Sequence, residues 1–175
     1  MAKLRKMLGT AESPYIVSLM RLIETQSKET IAIWCINYAE KNILPIYEEY
    51  DSKDTRLKNA LEAARDYIEG KIKLVDAKKV IREANSVAKE WVKNPVAEVS
   101  AKTIVQAVGS IHRSTHSLGM AFYGAAAIAY HKVGLNESSE TYDKIASNEC
   151  EKMEQELRNI AIENEENPAK INWNC

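Results

Sequence analysis

The chain has 175 residues, with 24 Lys and Arg against 25 Asp and Glu and a formal net charge of -1, so it offers no global attraction for nucleic acid or an anionic membrane. That length suits one domain that buries roughly 70% of the surface its unfolded form exposes. Six Gly and four Pro beside abundant Ala, Glu, Lys, Ile and Leu exclude a turn-rich β architecture and point to an all-α fold.

At the N-terminus, MAKLRKMLGT carries positive charge but only Met7 and Leu8 where a signal peptide needs a longer apolar region, so no export by that route is expected. Ser13-Pro14 reads as a cap followed by a first-turn proline, and Ile16, Leu19, Met20 and Ile23 follow at helical spacing. Ser27 caps a second helix whose inner stripe is Ile31, Trp34, Cys35, Tyr38 and Ala39. Pro45 interrupts it, because proline lacks the backbone donor that continues a helix. The stretch from Asn42 to Tyr50 is therefore either a kinked continuation or a separate short helix, with Leu44, Ile46 and Tyr47 inside in both cases.

After a polar connector, Asp51 to Thr55, Asp54 is placed to cap a third helix with Leu57, Ala60, Leu61, Ala64, Tyr67 and Ile68 on one face. Gly70 ends it. A fourth helix spaces Leu74, Ala77, Ile81, Ala84, Ala88 and Trp91 three and four apart, and its other side is charged. Asn94-Pro95 stops it and starts a fifth, lined by Ala97, Ala101, Ile104, Val108 and Ile111. In HRSTHSLG, Ser114 or Thr115 is positioned to cap the next helix.

The run LGMAFYGAAAIAY, Leu118 to Tyr130, has no charged residue. A helix apolar on all sides must be enclosed, and 13 residues fall short of the ~20 that cross a bilayer, so the helix over 118–132 is read as a buried centre. The chain's three histidines, His112, His116 and His131, bracket it. A last helix carries Tyr142, Ile145, Ala146, Met153, Leu157 and Ile160 and is expected to run to about Glu163. The segment from Glu137 to the end is acidic, with ten Asp and Glu against four Lys and Arg. A polar tail over 165–175 is either disordered or docked through Trp173. The expected architecture is a single all-α domain, 1–175, of about six to seven helices around the central one.

The residue types that carry chemistry are few. His112 and His116 have the H-x3-H spacing that sets two imidazoles on one face of a continuous helix, as a metal site requires. A helix break at Ser114 or Thr115 would separate them. No HExxH and no Glu-x-x-His pair accompanies them. Glu48, Glu49 and Asp54 form an acidic cluster with Arg56 near in sequence, which suits either an acid and base pair or a capping network. Cys35, Cys150 and Cys175 are odd in number and lack CxxC spacing, the pattern of a reduced, cytoplasmic protein. No phosphate loop, nucleophile motif or basic-aromatic platform is present, and no cofactor is expected.

Taken together, Trp34, Glu40, Leu44-Pro45, Glu48-Glu49, Asp54 with Arg56, Glu62 to Arg65, Gly70, His112, His116 and Leu118 to Tyr123 give an ordered pattern. It resembles the Imm-five-like family of immunity proteins found in bacterial polymorphic-toxin systems, over about residues 30 to 160. The resemblance implies a small cytoplasmic helical protein that binds and blocks a cognate protein toxin, without a catalytic residue. The competing reading is a metal- or small-ligand-binding helical bundle, or a hydrolase-like enzyme built on one, using His112, His116 and the nearby carboxylates. A third is a homo-oligomer assembled through the last helix.

Overall fold

A computed structural model describes residues 3–174, so Cys175 lies outside the described residues. Among those residues the protein is all-α, with helices α1 (Pro14–Ile23), α2 (Lys28–Tyr38), a π-helical turn (Ala39–Ile43), α3 (Leu44–Glu48), α4 (Arg56–Ile68), α5 (Leu74–Glu90), α6 (Pro95–Gly109), α7 (His116–Val133) and α8 (Ser139–Ile160). The stretch from α2 through α3 is unbroken, so the described residues form seven helices, one of them interrupted by the π turn. The interruption is where Pro45 brings no N–H: the Leu44 N–H reaches back five residues to the Ala39 carbonyl, and the wider π turn absorbs the mismatch.

Helix ends follow local chemistry, though not always by the expected atoms. Ser27, Asn94 and Ser138 accept side-chain caps from the N–H groups of Thr30, Ala97 and Thr141. Ser13 stands at the N-cap of α1 but makes no cap bond; its hydroxyl instead accepts from Thr10 N, and Pro14 alone starts the helix. Thr115 precedes α7 in helical conformation without capping it, so neither candidate there acts as one. At the end of α4, Gly70 takes φ +75 while the N–H groups of Gly70 and Lys71 return to Tyr67 and Asp66, a closure that a side chain at position 70 would strain.

The core is shared by two adjacent helices. α7 buries Ser117, Leu118, Met120, Ala121, Gly124 to Ala127, Ala129 and Tyr130. It packs most extensively on α6, which touches α2, α3, α4 and α5 on its other sides. Small residues permit that closeness: a Cβ on Gly124 would sit 3.2 Å from Met153 Cε, 3.3 Å from Thr103 Cγ2 and 3.4 Å from Tyr38 Cε1. α2 is buried almost all round, with Trp34 donating its indole N–H to the Met153 carbonyl at 3.0 Å. α8 stops at Ile160, three residues before the expected end, and its apolar stripe, apart from exposed Ile160, is covered within the chain by α1, α2 and α7.

Both terminal segments lie against the bundle. Leu8 is fully buried and donates its N–H to the Phe122 carbonyl, while the Tyr130 hydroxyl donates to the Arg5 carbonyl. After α8, Ala169 N bonds to Gln26 O at 2.8 Å, and the Trp173 indole donates to Glu24 at 2.7 Å. No helix of the described residues is long and apolar enough to cross a membrane.

Candidate functional site

The connector between α3 and α4 folds on its own carboxylates. Asp51 Oδ1 accepts from the N–H groups of Lys53 and Asp54, and Asp54 Oδ1 accepts from Arg56 N, all at 3.1 Å. The helix therefore begins one residue later than a cap at Asp54 would require, and Thr55 holds the N-cap position without a side-chain bond. Asp54 instead binds the side chain of Arg56, through Nε at 2.9 Å and Nη2 at 2.8 Å. The same guanidinium forks onto Glu90 at the end of α5, 2.9 Å and 2.6 Å to its two oxygens, and reaches Ser86 at 3.2 Å.

Behind this bracket the Tyr47 hydroxyl donates to Asp54 Oδ2 at 2.9 Å and accepts the Trp91 indole N–H at 3.1 Å. Tyr47 and Tyr50 both meet the Trp91 ring edge to face, with centroids 6.1 Å and 6.2 Å apart. The bonds from Arg56 hold Asp54 down at about 2, and the two carboxylates raise Arg56 further above its already high range. Burial pushes the Tyr47 hydroxyl up. Every strong donor and acceptor here is engaged with another, so the cluster ties α3, α4 and α5 together and keeps its charges fixed.

The adjacent acidic pair divides. Glu48 is exposed and makes no side-chain hydrogen bond among the described residues, whereas Glu49 meets His131 Nε2 at 2.9 Å, joining α3 to the end of α7. His112 and His116 do come together at the α6–α7 turn, with ring centroids 5.5 Å apart. His116 Nδ1 lies 2.8 Å from Gln106 Oε1. Burial, together with the charge of Arg113, draws both imidazoles below the ordinary histidine range, and Lys78 adds to this at His112. Lys78 and Glu90 are twelve residues apart on α5, roughly 18 Å at 1.5 Å per residue, so the histidine pair and the Asp54 bracket sit at opposite halves of that helix.

The six residues singled out from the sequence thus fall into separate places: Asp54 with Arg56, Glu49 with His131, Glu48 in solvent, and the two histidines at the far turn. Sequence reasoning missed Tyr47, Glu90 and Trp91 as partners of Asp54 and Arg56, and Gln106 as the partner of His116. The only signal in reach was Trp91, which closes the apolar period of α5 next to Glu90. No group of three or more His, Cys, Asp or Glu side chains among the described residues is placed to hold a metal ion.

Compared with known proteins, the chain matches a family model described as Imm-5 like putative immunity protein over residues 21–156, which spans α2 through most of α8. No curated protein matches the chain. No solved structure matches it.

Proposed function

The chain belongs to the Imm-5 like putative immunity protein family, and from that premise we propose that it binds and neutralises a cognate protein toxin, without itself catalysing a reaction. The family match over residues 21–156 carries this reading. Such a role needs a stable scaffold and a complementary surface, not a reactive centre. The bonded state of the Asp54 cluster agrees with it, since charges fixed on one another hold a scaffold and are poorly placed to exchange protons with a substrate.

Two surfaces suit a toxin. Exposed Glu163 and Glu166 stand beside exposed Ile160 and Ile162 at the C-terminal end of α8, while exposed Glu137 and Glu140 lie at its opposite end. Acidic side chains beside apolar anchors fit a basic partner and speed its association. The second is the Tyr50–Asp54 connector, where Tyr50 is partly exposed beside Trp91. The protein is proposed to act in the cytoplasm, where the toxin would otherwise reach its target.

Co-expression tests the proposal. The chain should restore growth to cells making the toxin encoded beside it and co-purify with that toxin. Ile162→Asp with Glu163→Lys should weaken both while leaving the fold intact. A stable complex that gives no growth rescue, or neither complex nor rescue with any adjacent toxin, would refute it.

A further inference from the structure

The α6–α7 turn holds two imidazoles in an arrangement that the toxin reading does not use. Gln106 Oε1 can only accept, so His116 Nδ1 donates to it, and the lone pair of the neutral ring is left on Nε2. Metal-binding histidines are oriented in this way, with the second ring nitrogen donating to a carbonyl or carboxylate. Two glycines make the contact possible, one on each helix. Gly109 of α6 gives room to His116, whose ring atoms would lie 3.1–3.2 Å from a Cβ there. Gly119 of α7 gives room to Gln106, since a Cβ there would lie 2.7 Å from Gln106 Cδ and closer still to Oε1.

The second ring, His112, is exposed and makes no hydrogen bond among the described residues. Its centroid lies 5.5 Å from that of His116. A zinc ion ~2.0–2.1 Å from one nitrogen of each ring, at a near-tetrahedral angle, sets ring centres roughly 5 Å apart. The observed centroid separation is therefore compatible with shared coordination. We infer that His112 and His116 form a two-histidine site for an imidazole-preferring divalent ion, zinc or nickel, whose remaining positions are open to water. Lys78 and Arg113 repel the ion, which makes the site weaker than a closed four-ligand one.

Calorimetric titration of the full, untagged chain with Zn²⁺ and with Ni²⁺ at pH 7.5 tests this directly. One saturable equivalent is expected. It should weaken on the order of tenfold or more in His112→Ala and in His116→Ala, and remain in His131→Ala, whose ring pairs with Glu49 instead. Gly119→Ala displaces Gln106 while keeping both ligands, and should weaken binding severalfold; Gln106→Ala should do the same. Long-range proton–nitrogen spectra provide a readout that does not depend on affinity: His116 should carry its proton on Nδ1, and Zn²⁺ should shift the nitrogens of His112 and His116 only. The absence of saturable binding, binding that survives His116→Ala in a folded chain, or a proton on His116 Nε2 would each overturn the inference. Metal binding and growth rescue are read in separate assays, so failure of either leaves the other standing.

Discussion

Replacing Asp54 by Asn tests the strongest electrostatic claim made by the fold. Asp54 is held from its ordinary 3.8 to about 2, a difference worth ~2 kcal/mol of native-state stabilisation at neutral pH. The amide also turns an NH2 toward donors of Arg56 or the Tyr47 hydroxyl, so the total loss should be ~2–3 kcal/mol. The pH dependence follows from the direction of the shift. A carboxylate lowered in the folded state contributes its stability fully above its unfolded value, and loses it as pH falls through the folded one. The wild-type advantage from this group is therefore present above about pH 4 and declines toward about pH 2, with ~1 kcal/mol already gone at pH 3. Urea unfolding at pH 7 and pH 3, followed by circular dichroism, measures the gap between the two proteins. A gap below ~0.5 kcal/mol at pH 7, or one that is equal at both pH values, would refute the reasoning.

Other perturbations address the packing. Trp34→Phe removes the indole N–H bonded to Met153 O and leaves a void in α2, and should cost ~1–3 kcal/mol in the same unfolding assay. Gly124→Val forces atoms into Met153, Thr103 and Tyr38 and should cost ~1–3 kcal/mol by overpacking, read as a lower melting temperature. Burial pushes the thiols of Cys35 and Cys150 up to about 12, so in a Cys175→Ser background a thiol reagent at pH 8 should label neither until denaturant is added. Rapid labelling of the native variant would show that one of those helices opens locally.

Much of the fold was legible because helical periodicity and its stops are local properties. The stripes read for α1, α2, α5 and α6 are the faces found inside, and Asn94-Pro95 and Gly70 act where expected. Ser13 stands at the expected N-cap position but its hydroxyl bonds elsewhere, and the cap expected at Asp54 falls one residue early, because a small polar side chain chooses among neighbouring N–H groups by tertiary fit. The candidate site was legible in composition only. Its carboxylates and arginine were visible, but Arg56 finds Glu90 from thirty-four residues away, beyond what spacing can express.

The sequence by itself determined the class of this protein: few breakers and repeated 3.6-residue stripes allow a helical bundle and little else. It also determined that a charge-free run before His131 must be enclosed. Only the tertiary structure decided that α6 is buried beside α7 as a second central helix, because enclosure depends on what packs around an element. It also decided the fate of the marked residues. It sent Glu49 to His131 and Asp54 to Arg56, and it brought His112 to His116 across a turn where each helix presents a glycine to the other's polar side chain. Those pairings depend on distances between elements far apart in the chain, which residue order does not fix.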